Sequence, residues 1–241
     1  MREVVVAELG DLAEVLVARC EEVALAALAT RGRVALALTG GNTMRVLAPA
    51  LVQARLPWEH LEVFWGDERA VPPTDPESNY RLADDVLLSR VPLVPSHVHR
   101  MPGDQPDLEA AAAAYEDELR SALGPVPRLD LVLLGMGPDG HVCSLFPGHA
   151  ALFERTRLVL AITDSPKPPP VRFTLTLPML WSAGLVVVAA LGSEKAEAVR
   201  RVLDADDEGL PVTRVTRHAA SVLFLLDPEA AGTPHPEHSS G

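Results

Sequence analysis

The sequence predicts an α/β fold, a single-domain Rossmann-like structure with a mostly parallel sheet and helices on both faces. Apolar runs alternate with patterns of helical length, as a parallel sheet with helical crossovers requires. The runs 34–38, 129–134 and 185–191 are almost wholly apolar, which is typical of strands buried on both faces. A hydrophobic content of 48% in 241 residues can fill one sizeable core, so we expect one domain over 1–230 and a disordered tail over 231–241.

Further elements follow from the patterns between these runs. The turn after the first run is followed by a helix to Arg55, which Pro49 should kink or shorten because proline lacks the amide hydrogen. The other predicted elements are helices over 11–30, 108–119 and from Ser78 to about Ser89, and strands that begin at Leu61 and at Ser221.

The run 129–134 ends in a glycine-rich turn that carries Asp139 and His141. Ligands of open α/β sheets bind beyond the carboxyl ends of the strands, and glycines let the backbone approach a ligand closely. The turn therefore predicts an active site in which Asp139 and His141 face a crevice. Taken by itself, the motif also allows a tight turn whose aspartate caps a helix and whose histidine is solvated.

A second glycine turn, Thr39-Gly40-Gly41-Asn42-Thr43, follows the first apolar run and precedes a helix. Backbone amides and the positive end of a helix dipole suit a phosphate, the glycines let it approach, and the two threonine hydroxyls can donate. The turn matches neither the Walker pattern nor the dinucleotide fingerprint. An N-cap at Asn42 or Thr43, preceded by a simple glycine turn, is the alternative.

Three charged residues, Asp67, Glu68 and Arg69, follow the strand that begins at Leu61. Charges at the end of a strand are usually part of a solvated loop. Here they occupy the same place relative to a strand as the two glycine turns do. The proline-rich segment 72–79 that follows can cover a site.

The two lysines stand out because the other 19 of the 21 cationic residues are arginines. A lysine ammonium is a compact charge on a flexible stem, so its retention favours a site that needs such a group. Lys167 lies in a loop with four prolines that also leads to Arg172, and Lys195 lies at a strand-to-helix turn. Chance retention of two lysines is the alternative.

Four segments, in this order, resemble the 6-phosphogluconolactonase family. They are Thr39-Gly-Gly-Asn-Thr43, Gly66-Asp-Glu-Arg69 with Val71-Pro72 and Ser78-Asn79, the glycine-rich segment 135–148, and the proline-rich segment 165–176. The resemblance spans residues 34–203. It implies the family's fold and its reaction, the hydrolysis of 6-phosphoglucono-1,5-lactone to 6-phosphogluconate in the second step of the oxidative pentose phosphate pathway.

Two alternatives to lactone hydrolysis follow from the same resemblance. Glucosamine-6-phosphate deaminases have similar turns, but they carry a glutamate shortly after their Asp-Gly-His, whereas no carboxylate follows His141 here before Glu154. Ring opening and isomerisation of an amino sugar need more proton transfers than lactone hydrolysis does. The second alternative is a sugar-phosphate-binding protein without catalysis, which the pair of Asp139 and His141 disfavours.

The resemblance also implies roles for the site residues. His141 takes a proton from the attacking water, Asp139 or Asp67 orients the imidazole or the water, and Arg69 stabilises the oxyanion. Lys167 can serve either end of the substrate. The residues expected to hold the 6-phosphate are Thr39, Gly40, Gly41, Asn42, Thr43, Arg172 and Lys195. We expect His141→Ala to lower kcat and Arg172→Ala chiefly to raise KM.

Composition restricts the partners. A net charge of −12 argues against nucleic-acid binding and repels an anionic sugar phosphate at long range. Two cysteines are too few for a disulfide framework, and no signal peptide or membrane-spanning apolar segment is visible, so we expect a cytoplasmic protein. The expected partner is a small sugar-phosphate lactone, with no nucleic acid, membrane, cofactor or metal, and the protein is expected to be a monomer or a weak dimer.

Other reactive residues are assigned no chemistry. Cys143 is not spaced from His141 as a defined Cys-His pair, and Ser144 lacks the Gly-x-Ser-x-Gly elbow of a nucleophile. His97 and His99 lie in a proline-flanked loop and are expected at the surface.

Overall fold

A computed structural model describes residues 1–232 of the chain. In this part the strands are β1 (Arg2–Val6), β2 (Val34–Leu38), β3 (Leu61–Trp65), β4 (Asp67–Arg69), β5 (Leu131–Gly135), β6 (Val159–Ile162), β7 (Arg172–Leu175), β8 (Leu185–Ala190) and β9 (Val222–Leu226). The α-helices are α1 (Leu9–Arg31), α2 (Gly41–Gln53), α3 (Asn79–Val86), α4 (Leu108–Leu123), α5 (Leu177–Trp181), α6 (Ala196–Leu203) and α7 (Pro211–His218). The tail predicted over 231–241 lies, from residue 233 onward, outside the described residues.

The larger sheet has the strand order β1-β9-β8-β5-β2-β3, and all its neighbouring strands are parallel. Every residue of β2, β8 and β9 is buried, as expected for strands covered on both faces. At one edge, β1 alternates between exposed and half-buried residues. The predicted α/β fold, with a mostly parallel sheet flanked by helices, is confirmed.

The helices begin and end close to their sequence signals. α2 contains Pro49 and ends at Gln53, just short of the predicted end. α3 begins directly after Ser78, whose hydroxyl accepts a hydrogen bond from the amide of Arg81, and it ends at Val86 rather than near residue 89. Side-chain capping thus determines where α3 begins, as the sequence predicts.

A small antiparallel sheet with the order β4-β7-β6 is absent from the predicted elements. β4 and β7 contain charged or polar residues, and β6 is apolar but has only four residues, so none of the three is among the predicted strands. In its register Asp67 faces Thr174 and Arg69 faces Arg172. The small sheet therefore brings the charged segment after β3 next to the proline-rich loop that carries Lys167.

His99 is not a surface residue, so the expectation for this position is wrong. Its side chain is only 11% exposed, and its ring stacks on Phe64 with the centroids 4.5 Å apart. Its two ring nitrogens each lie 2.8 Å from a carboxylate, that of Glu62 on β3 and that of Glu118 on α4. The backbone amide of His99 also donates to the carbonyl of Val63, which holds the loop against the sheet.

The segments that follow β2, β5 and β8 leave the sheet at the same edge, because these three strands are parallel neighbours. This edge therefore carries both glycine turns and the turn of Lys195. None of the helices within residues 1–232 combines the length and the apolar character needed to cross a membrane.

Candidate active site

A cavity of about 320 Å³ lies at this carboxyl edge of the sheet. The turns after β2, β5 and β8 line it together with β4 and the proline-rich loop. The predicted site residues in its wall are Thr39, Gly40, Gly41, Asn42, Thr43, Asp67, Arg69, His141, Lys167, Arg172 and Lys195. Asp139, the remaining predicted residue, lies in contact with His141. The four motif segments thus meet at one place.

The turn after β5 folds tightly around His141. The amide of Gly137 donates to the carbonyl of His141 at 2.9 Å, and the amide of Gly140 donates to the carbonyl of Gly137 at 2.9 Å. A Cβ atom at Gly137 would lie 2.0 Å from the His141 ring, so glycine is required for the ring to occupy this place. The ring also packs on Phe146, with the ring centroids 4.8 Å apart. These contacts hold the imidazole in one orientation.

His141, Asp139 and Lys167 form a three-way contact. Asp139 Oδ1 lies 2.5 Å from His141 Nδ1 and 3.2 Å from Lys167 Nζ, and Lys167 Nζ lies 3.1 Å from His141 Nδ1. Partial burial raises the pKa of Asp139, but hydrogen bonds and charge from His141 and Lys167 outweigh it and hold this pKa well below its usual range. An ionised carboxylate only accepts, so the proton of this contact belongs to His141 Nδ1, and Nε2 is left to act as a base.

Asp67 binds Ser144 and Asn79 in the described structure. Its Oδ2 accepts a hydrogen bond from Ser144 Oγ at 2.7 Å, and its Oδ1 accepts one from Asn79 Nδ2 at 3.2 Å. Arg172 Nη1 lies 4.0 Å from Oδ2. Of the two aspartates that the sequence proposes for orienting His141, Asp139 is therefore the one in contact with the imidazole.

Arg69 lies in the cavity wall, and one of its donors has no hydrogen-bond partner among the described residues. Its Nη1 donates to the carbonyl of Glu77 at 2.6 Å and lies 3.7 Å from the Glu77 carboxylate. Its Nε is buried and has no hydrogen-bond partner among residues 1–232. Leaving a buried donor unpaired costs about 1–3 kcal/mol, so an acceptor that binds next to Arg69 would remove this cost.

Arg172 holds the proline-rich loop. Its Nε donates to the carbonyl of Pro169 at 2.9 Å, and its Nη2 donates to the carbonyls of Pro168 at 2.8 Å and Lys167 at 3.2 Å. Burial lowers the pKa of Arg172, and the charge of Asp67 opposes this effect. Because much of the guanidinium is used by the loop, the binding of a phosphate by Arg172 stays a prediction.

The start of α2 lies in the wall of the cavity, where the sequence predicts the binding of a phosphate. Gly40 occupies the N-cap, and because it has no side chain, the amides of the first turn stay available for an anion. Thr39 Oγ1 accepts a hydrogen bond from the amide of Gly135 at 3.0 Å, which joins this turn to β5. Lys195 completes this region, with its Nζ 3.5 Å from the carboxylate of Glu194.

Sequence reasoning assigned no role to three residues at this site, Asn79, Ser144 and Glu194. The first two lie inside motif segments, so the motifs were the available signal, but their partner Asp67 is 12 positions from Asn79 and lies in a different segment from Ser144. Glu194 is visible only as the neighbour of a singled-out lysine. Within residues 1–232, no group of three or more His, Cys, Asp or Glu side chains is arranged to hold a metal ion.

A family model described as glucosamine-6-phosphate isomerases/6-phosphogluconolactonase matches residues 7–224. The chain belongs to this family. Among its relatives, the 6-phosphogluconolactonase of Streptomyces coelicolor is 42% identical, over 91% of this chain and 89% of its own length. The 6-phosphogluconolactonase of Homo sapiens is 41% identical, over 97% of this chain and 93% of its own length.

Solved structures of the family agree with the fold. The 6-phosphogluconolactonase from Trypanosoma brucei aligns with a TM-score of 0.84 and 30% identity, over 96% of this chain and 98% of that one. A monomeric glucosamine-6-phosphate deaminase aligns with a TM-score of 0.78 at 24% identity, over 96% of this chain and 100% of that one, and shares the fold. The family that the four motifs resemble is thus confirmed.

Proposed function

We propose that this member of the family is a 6-phosphogluconolactonase, which hydrolyses 6-phosphoglucono-1,5-lactone to 6-phosphogluconate in the second step of the oxidative pentose phosphate pathway. The observation that carries the proposal is the 2.5 Å contact of His141 with Asp139, at a cavity that also contains the start of α2 and Lys195. A phosphorylated lactone requires one base for water and one region for the phosphate. Relatives that bear this name match nearly their full length, which supports the proposal.

In the proposed mechanism, His141 Nε2 takes a proton from water while the water oxygen attacks the carbonyl carbon of the lactone. Asp139 accepts the hydrogen bond from Nδ1 and stabilises the imidazolium that forms. The ammonium of Lys167, 3.2 Å from Asp139, fixes this carboxylate in place. Of the two ends that Lys167 can serve, we therefore assign it to the base.

The attack leaves a tetrahedral intermediate with negative charge on the former carbonyl oxygen. Arg69 stabilises this charge, since its guanidinium belongs to a residue of the cavity wall. The intermediate then breaks the bond between the former carbonyl carbon and the ring oxygen. The ring oxygen leaves with the proton of the His141 imidazolium, the carboxylic acid product ionises, and His141 returns to its neutral form.

The 6-phosphate binds at the start of α2. First-turn amides and the hydroxyl of Thr43 donate to it, and Lys195 supplies positive charge. Arg172 adds a second cation to the same cavity wall. These charges attract the substrate only at short range, because the whole chain carries a net charge of −12 and exposed charges are screened within about 10 Å.

Deamination of an amino-sugar phosphate would need a further acid–base group near His141. The next carboxylate in the chain is that of Glu154, which does not line the cavity. Its Oε1 accepts hydrogen bonds from the backbone amides of Arg155, Thr156 and Arg157 at 2.7, 2.6 and 3.1 Å. Because Glu154 binds the backbone of its own turn, it does not supply this further acid–base group. The site therefore favours hydrolysis of the lactone.

The proposal includes a small-molecule partner and a cytoplasmic location. The partner is the sugar-phosphate lactone. Cys20 and Cys143 are both free, and free thiols favour a reducing compartment. A monomer or a weak dimer suffices, since all the groups used in the mechanism come from one chain.

The reaction is tested with freshly made 6-phosphoglucono-1,5-lactone. Hydrolysis is followed by coupled NADP reduction through 6-phosphogluconate dehydrogenase, and the spontaneous rate is subtracted. We expect rapid turnover by the wild type. We expect His141→Ala to lose about 10²- to 10⁴-fold in kcat, the usual contribution of a general base, with a much smaller change in KM.

His149→Ala serves as the control for this variant. His149 also pairs with an aspartate, Asp164 at 2.9 Å, but it does not line the cavity. Its kcat should equal that of the wild type. A wild-type rate no higher than that of buffer would overturn the proposed function, and an unchanged kcat in His141→Ala would exclude His141 as the base.

A further inference from the structure

The geometry points to Ser144 and Asn79 as positioning residues, which act on catalysis through Asp67. They fix three separate turns of the site relative to one another, and Ser144 in particular fixes the segment that carries His141. The inference rests on the proposed function, because it assigns these residues a part in the same reaction.

Ser144 connects the catalytic turn to Asp67. It is fully buried, its Oγ donates to Asp67 Oδ2 at 2.7 Å, and its backbone amide donates to Thr174 Oγ1 at 3.2 Å. The residue before it, Cys143, has a φ of 52°, in the left-handed region that residues with a side chain rarely adopt. Such a backbone persists only where surrounding contacts hold it, and the hydrogen bonds of Ser144 provide them.

Asn79 connects Asp67 to the turn before α2. Its Nδ2 donates to Asp67 Oδ1 at 3.2 Å and to the Asp67 carbonyl at 2.9 Å. Its amide group packs so closely on Gly40 that a Cβ atom there would lie 1.9 Å from Asn79 Oδ1. Buried Glu68 holds Asn79 in turn, because its Oε1 accepts the backbone amide of Asn79 at 2.6 Å.

Asp67 thus connects the three turns through its hydrogen bonds. Each of its carboxylate oxygens accepts one side-chain hydrogen bond, from Ser144 on one side and Asn79 on the other. The described contacts of Asp67 do not include His141, so its effect on the base passes through Ser144. Removing the hydroxyl of Ser144 leaves Oδ2 of a buried carboxylate without this donor, and the strained segment that follows His141 is released.

The first measurement is the steady-state kinetics of Ser144→Ala with the lactone. We expect kcat to fall roughly 10- to 100-fold, since small displacements of a catalytic group have effects of this size. KM should change by less than about twofold, because the start of α2 and Lys195 are untouched. A loss of general packing would instead lower thermal stability without this selective loss of kcat.

A double-mutant cycle with Asp67→Ala, which removes both acceptor oxygens, tests whether Ser144 acts through Asp67. If it does, the variant with both changes should have about the kcat of Asp67→Ala alone, because the second change removes nothing further. If Ser144→Ala does not fold, Asn79→Ala removes the other hydrogen bond of Asp67 and enters the same cycle. Losses that simply multiply in the double variant would overturn the inference.

Thr176→Val provides the comparison for the loss of a buried hydroxyl. Thr176 is also fully buried, and its Oγ1 donates to the carbonyl of Arg157 at 2.7 Å, away from Asp67. We expect this variant to keep the wild-type kcat. A wild type inactive on the lactone would overturn the proposed function, whereas an active wild type with an equally active Ser144→Ala would overturn only the positioning role.

Discussion

Each cationic side chain in the cavity wall is held by an acid or by backbone carbonyls. The partners are Asp139 for Lys167, Glu77 for Arg69, Asp67 and three loop carbonyls for Arg172, and Glu194 for Lys195. The last pair differs from the others because its two residues are adjacent in the chain, and the side chain of Glu194 is 61% exposed. In the proposed mechanism, Glu194 therefore competes with the substrate phosphate for Lys195.

We expect Glu194→Gln to lower the KM for the lactone by about two- to fivefold, because an exposed ion pair contributes up to about 1 kcal/mol. The phosphate then no longer competes with a neighbouring carboxylate. The kcat should not change, since Glu194 pairs with Lys195 and has no described contact with His141 or Asp139. Steady-state kinetics at low ionic strength measures the effect, which added salt should reduce.

The control for this charge change is Glu197→Gln. Glu197 lies on the following helix and pairs with Arg200 at 2.8 Å, outside the cavity wall. Its removal changes the net charge of the chain by the same amount. Equal changes of KM in the two variants would show that net charge, and not the pair with Lys195, determines the affinity.

Single residues of the site were easier to predict than their partners. Composition alone singles out Lys167, but its contact with Asp139 depends on a loop that folds across another turn. Ser144 could be judged from the sequence only as a nucleophile, since the acceptor of its hydroxyl, Asp67, lies 77 positions away. Local patterns show which residue types are present, whereas buried polar contacts are made between distant segments.

At the scale of elements, the strands predicted from the sequence are those that are both buried and rich in apolar residues. The strands β2 and β8 are wholly buried and their residues are wholly apolar, so their runs are visible in the sequence. All four residues of β7 are buried as well, but two of them are the polar residues Arg172 and Thr174, whose groups bind the preceding loop and Ser144, respectively. Such a strand has no apolar signal. The edge strand β1 was missed for a different reason, since it is short, begins with two charged residues and is partly exposed.

The contacts of Arg172 with the proline-rich loop change the kinetic effect that we expect from Arg172→Ala. From the sequence we expected Arg172→Ala chiefly to raise KM. The structure adds a loss of kcat by roughly tenfold, because the backbone of Lys167 loses its anchor and the ammonium beside Asp139 becomes less well placed. Steady-state kinetics separates the two effects.

Arg157→Ala is the appropriate comparison for Arg172→Ala. Arg157 lies just before β6 in the same small sheet, and its guanidinium binds the exposed Glu109 at 2.9 Å rather than the loop. Both kinetic constants should stay at their wild-type values in this variant. A rise of KM alone in Arg172→Ala would limit Arg172 to substrate binding and contradict its role as the anchor of the loop.

At the scale of the whole molecule, one partly buried cluster of ionisable side chains links the large sheet to a helix. His99 lies between Glu62 of β3 and Glu118 of α4, and its backbone carbonyl accepts a hydrogen bond from the hydroxyl of Tyr115 at 2.8 Å. Burial lowers the pKa of His99, but the hydrogen bonds and charges of the two glutamates outweigh burial and raise this pKa above its ordinary value. The folded protein therefore binds the proton of His99 more tightly than the unfolded chain does.

This difference predicts how the free energy of unfolding depends on pH. The stabilisation is complete below the pKa of histidine in the unfolded chain, about 6.5, and it is lost as pH rises through the higher pKa of the folded state. We expect the wild type to lose stability over this range, and His99→Gln to lack that part of the loss. Urea unfolding at several pH values from 5 to 9 measures it, with His60→Gln, which changes an exposed histidine next to the same strand, as the control. If His99→Gln kept the pH dependence of the wild type, the cluster would contribute no proton-linked stability.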